Sequence, residues 1–242
     1  TRANTFILLD ANAIRDMAGV ALAGTQSAIQ ATNVGEDVTD PTATSFSLDM
    51  DTGTLRITFS ETVEVSTVNV SRLTIQDSLS PAAHQVTLTS QSATRSSDFI
   101  TISLVLGQAD LNHIKANPAL ATSSGNAVLR VSLAAIEDAV SNTVVAVELT
   151  TPVYVADGTS PVLVGFDLNL DAEILILSFD EAMNVSSGSP TSLAVHNSND
   201  SNTLYNLTGG IFLATQDSRV IQMNLTELDL NAMKVLENLA TN

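Results

Sequence analysis

Between residues 46 and 59 the chain alternates apolar and polar positions: Phe46, Leu48 and Met50 flank Ser47 and Asp49, and Leu55, Ile57 and Phe59 flank Arg56 and Thr58. Successive side chains of a strand point to opposite faces of a sheet, so a period of two predicts two half-buried strands. Asp51-Thr52-Gly53 between them has turn chemistry, which makes the pair a hairpin. Short apolar stretches at 73–76, 85–89, 99–105, 127–133 and 143–149 predict further strands. About seven short strands at this spacing predict an all-β fold, an antiparallel β-sandwich of immunoglobulin type. One short crossover helix interrupts them, with Asp110 at the N-cap position, Leu111 and Ile114 three apart on one face, and Lys115 near the C-terminal end.

The pattern then recurs. Shifted by 120 residues, PTATSFSLDMDTGTLRITFSETVEVS (41–66) falls on PVLVGFDLNLDAEILILSFDEAMNVS (161–186) without a gap. Pro41, Phe46, Leu48, Asp51, Leu55, Phe59, Glu61 and Val65 meet Pro161, Phe166, Leu168, Asp171, Leu175, Phe179, Glu181 and Val185. A shift of 119 lays the segment from Thr101 on the segment from Val220, so that Asp110-Leu111-Asn112 meets Asp229-Leu230-Asn231 and Lys115 meets Lys234. A shift of 122 lays the segment from Asn4 on that from Asn126, and Ile14 and Asp16 repeat as Ile136 and Asp138. Self-similarity at a fixed period is the mark of a repeat architecture.

Residues 1–39 therefore read as the C-terminal part of one repeat, 40–157 as a complete repeat of about 120 residues, and 158–242 as the N-terminal part of another. Half a sandwich exposes core and strand edges, so the missing halves are expected from continuation of the chain or from a neighbouring copy. The stretches EDVTDP (36–41) and ADGTSP (156–161) are short acidic linkers, which favour a rigid rod over beads on a string.

The run ILILSFDEAMNVSS and its twin RITFSETVEVS resemble the opening of bacterial Ig-like repeats of surface-layer and adhesin proteins, where a strand ends in Phe-Ser-Glu; here Asp180 stands before Glu181 in place of Ser. The segments DLNHIK, LATS and AIRDMAG resemble the tandem Ig-like repeats of very large algal and protist surface proteins, among them flagellar-hair (mastigoneme) filament proteins. The resemblance implies an extracellular or cell-surface protein without enzymatic activity, the repeat unit of a filament, stalk or flagellar hair. The alternative is a cell-surface adhesin or ligand-binding module. Its partners are then further copies of itself or adjacent repeats of the same chain.

Composition narrows this further. With 26 acidic against 9 basic residues the formal charge is -17, which repels phosphate backbones and argues against nucleic acid as a partner. Cysteine is absent, so there is neither a disulfide framework nor a thiolate site. No apolar run reaches the length of a membrane span, so direct membrane insertion is not expected.

Candidate chemistry is sparse. Of the three histidines, His113 meets Ala232 and His196 meets Gln76 under the repeat, so a role for either exists in one copy only. No serine sits in a nucleophile elbow and no glycine-rich phosphate loop is present. Asp37, Asp157, Glu61 and Glu181 fall near the predicted junctions, where converging carboxylates supply the hard oxygen ligands that calcium takes; ordinary turn chemistry accounts for the same residues. No cofactor is expected, with calcium at these carboxylates as the one alternative. Five glycosylation sequons occur, at Asn69, Asn184, Asn199, Asn206 and Asn224, about as many as chance produces, and Asn224 should point outward between Met223 and Leu225. Ile174 and Ile176 replace Thr54 and Arg56, so EILILSF is apolar on both faces; it is expected either to form an assembly surface or to lie under its own loops.

Overall fold

The computed structural model describes residues 4–150, 152–197, 204–214 and 219–236. Two compact units are present, residues 1–39 and residues 40–242. The first carries β1 (Phe6–Ile7) and β2 (Ile29–Gln30), paired antiparallel. A tight loop follows β1, in which the Asp16 carboxylate accepts from the backbone N–H of Ala18 (2.9 Å) and of Val20 (2.8 Å).

The second unit begins with β3 (Ala43–Asp49), β4 (Thr54–Phe59), β5 (Leu73–Gln76), β6 (Gln85–Thr87), β7 (Gln91–Arg95), β8 (Thr101–Leu106), α1 (Gln108–Lys115), β9 (Val128–Val131), β10 (Val147–Leu149) and β11 (Val153–Val155). They form two sheets, in the orders β11-β3-β4-β8-β7 and β10-β9-β5-β6. Every pairing is antiparallel except β11 with β3. The inward residues of both sheets meet in one core, in which Phe46, Leu48, Leu55, Ile57 and Leu104 pack with Ile75, Leu129 and Ile136. The β3–β4 hairpin closes through Gly53 at φ +64°, a left-handed conformation that glycine adopts without steric cost. Its counterpart Glu173 takes nearly the same conformation, φ +63°.

Two strands escape the hydrophobic pattern. β7, QSATR, has no apolar alternation because it is a sheet edge, and β11 is too short to show a period. The helix also starts earlier than expected. Gly107 is the N-cap of α1, while Asp110 lies inside the first turn with its carboxylate buried. That carboxylate accepts from the Thr89 N–H (2.7 Å), the Thr89 hydroxyl (2.7 Å) and the Ser90 N–H (3.1 Å), tying the helix to the strands before it.

The same construction restarts with β12 (Leu163–Asn169), β13 (Ile174–Phe179), β14 (Ala194–His196), β15 (Leu204–Asn206), β16 (Ile211–Ala214), β17 (Val220–Asn224) and α2 (Glu227–Val235). Sheet β12-β13-β17-β16 and hairpin β14-β15 enclose a separate core of Leu175, Leu177, Met223, Leu230 and Met233. Phe166 faces Leu177 and Leu168 faces Leu175, as Phe46 faces Ile57 and Leu48 faces Leu55. Both hairpins shift register at their first residues, between Ala43 and Ser45 and between Leu163 and Gly165.

The polar details recur as well. Asp49 accepts from the N–H groups of Asp51 and Thr52, and Asn169 from those of Asp171 and Ala172. Asp229 accepts from the Thr208 N–H and hydroxyl and the Gly209 N–H, as Asp110 does from Thr89 and Ser90. In the first unit, the Asp16 loop matches Asp138, which accepts from the N–H groups of Val140 and Asn142. No described helix is long and apolar enough to cross a membrane.

Candidate functional site

The region with the most specific chemistry lies where the strands of 40–157 give way to those of 158–242. After β11 the chain runs through Asp157-Gly158-Thr159 toward β12. The β3–β4 turn holds this linker: Asp51 Oδ1 accepts from the Gly158 N–H (3.0 Å) and the Thr159 hydroxyl (2.8 Å). The Gly158 hydrogen bond, and then that of Thr159, hold the Asp51 carboxyl below its ordinary range.

α1 delivers the second contact. Its last residue, Lys115, places Nζ 2.9 Å from Asp157 Oδ2 in the linker and 2.7 Å from Glu181 Oε2, which follows β13. The Lys115 and Glu181 side chains are each only 11% exposed, and that of Asp157 is 34% exposed. Burial by itself lowers the ammonium pKa, but the hydrogen bonds to Glu181 and Asp157 outweigh it and raise the value above normal. Stability from a raised lysine pKa is fully present below the unfolded-state value and is lost only as pH rises through the folded one, so this contact persists across neutral pH. Gln108 Nε2, at the start of α1, donates to the Asp180 carbonyl (3.4 Å) across the same junction.

Asp157 and Glu181, read in the sequence as candidate calcium ligands, are thus brought together around an ammonium group. Asp37 sits in the first unit, where Oδ1 accepts from the Thr39 N–H (3.1 Å); Glu61 follows β4 in the second and is half-buried. Lysine was not among the residues singled out as functional. The signal that finds it is recurrence: Lys115 repeats as Lys234, Asp157 as Asp37 and Glu181 as Glu61.

The remaining candidates lie on the surface. Asn69 and Asn184 are exposed and cap short 3-10 turns, each through an Oδ1 that accepts from the N–H two residues on. Asn206 is exposed, and Asn224 faces outward between buried Met223 and Leu225, accepting from Gln222 Nε2. Asn199 lies outside the described residues. Ile174 and Ile176 are half-buried on the outer face of their sheet, opposite Leu175 and Leu177. Ile174 lies across from Asn224, which also faces Ile211, and Ile176 across from Gln222, which also faces Leu213. The four apolar residues therefore share one outer face, and Ile211 and Leu213 are exposed.

The buried Asp229 gives this half of the chain a pH signature. Burial pushes its pKa up, yet the Thr208 hydroxyl and N–H, with the Tyr205 hydroxyl at 2.9 Å, outweigh burial and bring it down to about 2. A depressed carboxyl pKa contributes stability above its unfolded value that disappears as pH falls through the folded one. Residues 158–242 are therefore expected to lose about 2 kcal/mol between pH 5 and pH 2, which denaturant titrations over that range measure, and Asp229→Asn should flatten this acid limb.

No family model matches the chain, and no curated protein does. Three solved chains are similar in structure, and all carry the name of the surface-layer protein SbsC. Its domains 1–6 match over 54% of this chain and 16% of that one at 13% identity and TM-score 0.34. Its bacterial N-terminal part matches over 78% of this chain and 45% of that one at 11% identity and TM-score 0.33. The chain thus spans less than half of each solved chain it matches.

Proposed function

We propose that this chain is a non-enzymatic stretch of an extracellular or cell-surface structural protein, in which tandem Ig-like sandwiches are locked end to end into a stiff filament or stalk. The observation that carries this reading is the junction, where Lys115 from one repeat grips Asp157 in the linker and Glu181 in the next repeat. A chain whose repeats only needed to be tethered requires no such clamp, and all three residues recur at the repeat spacing. Strand order supports the Ig-like assignment: β3-β4-β8-β7 and β10-β9-β5-β6 follow the A-B-E-D and G-F-C-C′ orders of immunoglobulin sandwiches. A flagellar hair is one filament of this description. Lateral packing through Ile174, Ile176, Ile211 and Leu213 supplies side-to-side contacts between such rods, with further copies as the partners.

The test is Lys115→Met in the full chain. It leaves Glu181 buried without its cation, so the junction is expected to lose about 2 kcal/mol, below the usual range for a broken buried pair because Asp157 is partly solvated. Denaturant unfolding reads that loss, and small-angle scattering should show a broader spread of interdomain distances. Unchanged stability and scattering would refute the clamp. Calorimetric titration of calcium into the native and Lys115→Met chains is the companion measurement: heat from the native chain would assign Asp157 and Glu181 to a metal instead.

A further inference from the structure

The structure separates the four described sequons into two pairs. In Asn69-Val70-Ser71, Asn69 Oδ1 accepts from the Ser71 N–H (3.2 Å) and the Ser71 hydroxyl (2.7 Å). Asn184-Val185-Ser186 is built the same way: Asn184 Oδ1 accepts from the Ser186 N–H (3.2 Å) and the Ser186 hydroxyl (2.6 Å). Both asparagines and both serines are exposed. Among the described residues neither Nδ2 takes part in a hydrogen bond, so the amide nitrogens stay available. In the other pair the hydroxyl is engaged by the fold. Asn206 is followed by Thr208, whose hydroxyl donates to Asp229 Oδ1 (2.7 Å), and Asn224 by Thr226, whose hydroxyl accepts from the Asp229 N–H (3.1 Å). Asn224 Oδ1 is itself taken by Gln222.

Neither turn requires an asparagine. At the position that matches Asn184 under the 120-residue shift, Glu64 closes the same turn, its carboxylate accepting from the Ser66 N–H (3.2 Å) and hydroxyl (3.0 Å). At the position that matches Asn69, Ser189 caps its turn with no side-chain hydrogen bond. What asparagine adds at both places is a carboxamide held against the hydroxyl two residues on. A carboxamide nitrogen becomes nucleophilic by shedding a proton, and donors to Oδ1 stabilise the negative charge which that leaves.

We propose that Asn69 and Asn184 are the N-glycosylation sites of the folded chain, and that Asn206 and Asn224 are passed over. The inference rests on the extracellular reading and gives one glycan to residues 40–157 and one to residues 158–242. The co-substrate is an oligosaccharide carried on a diphosphate. Asparagine Nδ2 attacks its anomeric carbon, the C–O bond to the diphosphate breaks, and the diphosphate leaves with the bonding pair. The amide proton passes to a base of the transferase, which reads the hydroxyl two residues on.

The test uses folded, unglycosylated chain carrying Asn199→Gln, which leaves the four described sequons. It is incubated with an oligosaccharyltransferase and a diphosphate-linked donor, beside synthetic peptides that each span one of the four. The peptides should all be modified, whereas the folded chain should gain two glycan masses, which glycopeptide mapping places on Asn69 and Asn184. Ser71→Ala should lose the glycan on Asn69 and keep the one on Asn184. Equal occupancy of Asn206 or Asn224 in the folded chain would overturn the selection, as would a folded chain left bare while the peptides react. Peptides that reproduce the two-of-four pattern would overturn the role of the fold. The reaction takes place outside any cell, so its failure leaves the cell-surface reading standing, and the Lys115→Met measurement tests that reading separately.

Discussion

Phe59→Ala is expected to remove about 4 kcal/mol from residues 40–157, whereas Phe179→Ala, 120 positions on, should cost only about half as much. Both residues end the second strand of their hairpins, facing Ala43 and Leu163 respectively. Phe59 is 2% exposed within a core closed by two sheets of four or more strands. Its removal leaves a void that the surrounding layers close only in part. Phe179 is half-buried at the edge of the smaller cluster, so water already covers part of the surface that truncation exposes. Guanidinium unfolding monitored by calorimetry and circular dichroism should resolve the two effects on separate transitions, because the two cores are distinct clusters. Equal losses for both variants would contradict the difference in packing.

The second large effect is electrostatic. Asp110→Ala is expected to destabilise residues 40–157 by about 2 kcal/mol, since it removes the buried acceptor of the Thr89 N–H, the Thr89 hydroxyl and the Ser90 N–H, which water at this part-buried site replaces only in part. Asp110→Asn should fall between, because one amide oxygen accepts in place of two carboxylate oxygens while its NH2 faces donors. Asp229→Ala strands the same set at Thr208 and Gly209, with the Tyr205 hydroxyl besides, so its cost should match or exceed that of Asp110→Ala. Denaturant midpoints for these three single variants measure the series. If either aspartate tolerates alanine, it is not the anchor that ties helix to strand.

Much of this was legible in the one-dimensional pattern. Period-two alternation located β3 and β4 and identified Phe46, Leu48, Leu55 and Ile57 as core, because burial of one sheet face constrains every second residue wherever the strand lies. The edges were not legible. β7 buries too little for hydrophobic selection to mark it, and pairing with a neighbour, a non-local event, is what makes it a strand. Asp110 illustrates a different failure: aspartate at the start of a helix has a local explanation, the N-cap, and the true partners lie twenty residues away.

Within the candidate site the division is sharper. Recurrence marked Asp157 and Glu181 as junction residues from the alignment alone. That the cation between them is Lys115 depends on where α1 ends in space, and no spacing along the chain encodes a contact between residues 66 positions apart.

The chain's order of residues determined by itself that the alternation and turn chemistry of residues 41–66 recur 120 positions on, because side-chain periodicity is a local property and survives without knowledge of the fold. Only the tertiary structure decided which strands neighbour one another in each sheet and which lysine meets which carboxylates. Those depend on strand order and on the path of the linker, where hydrogen bonds and desolvation act between groups far apart in the chain.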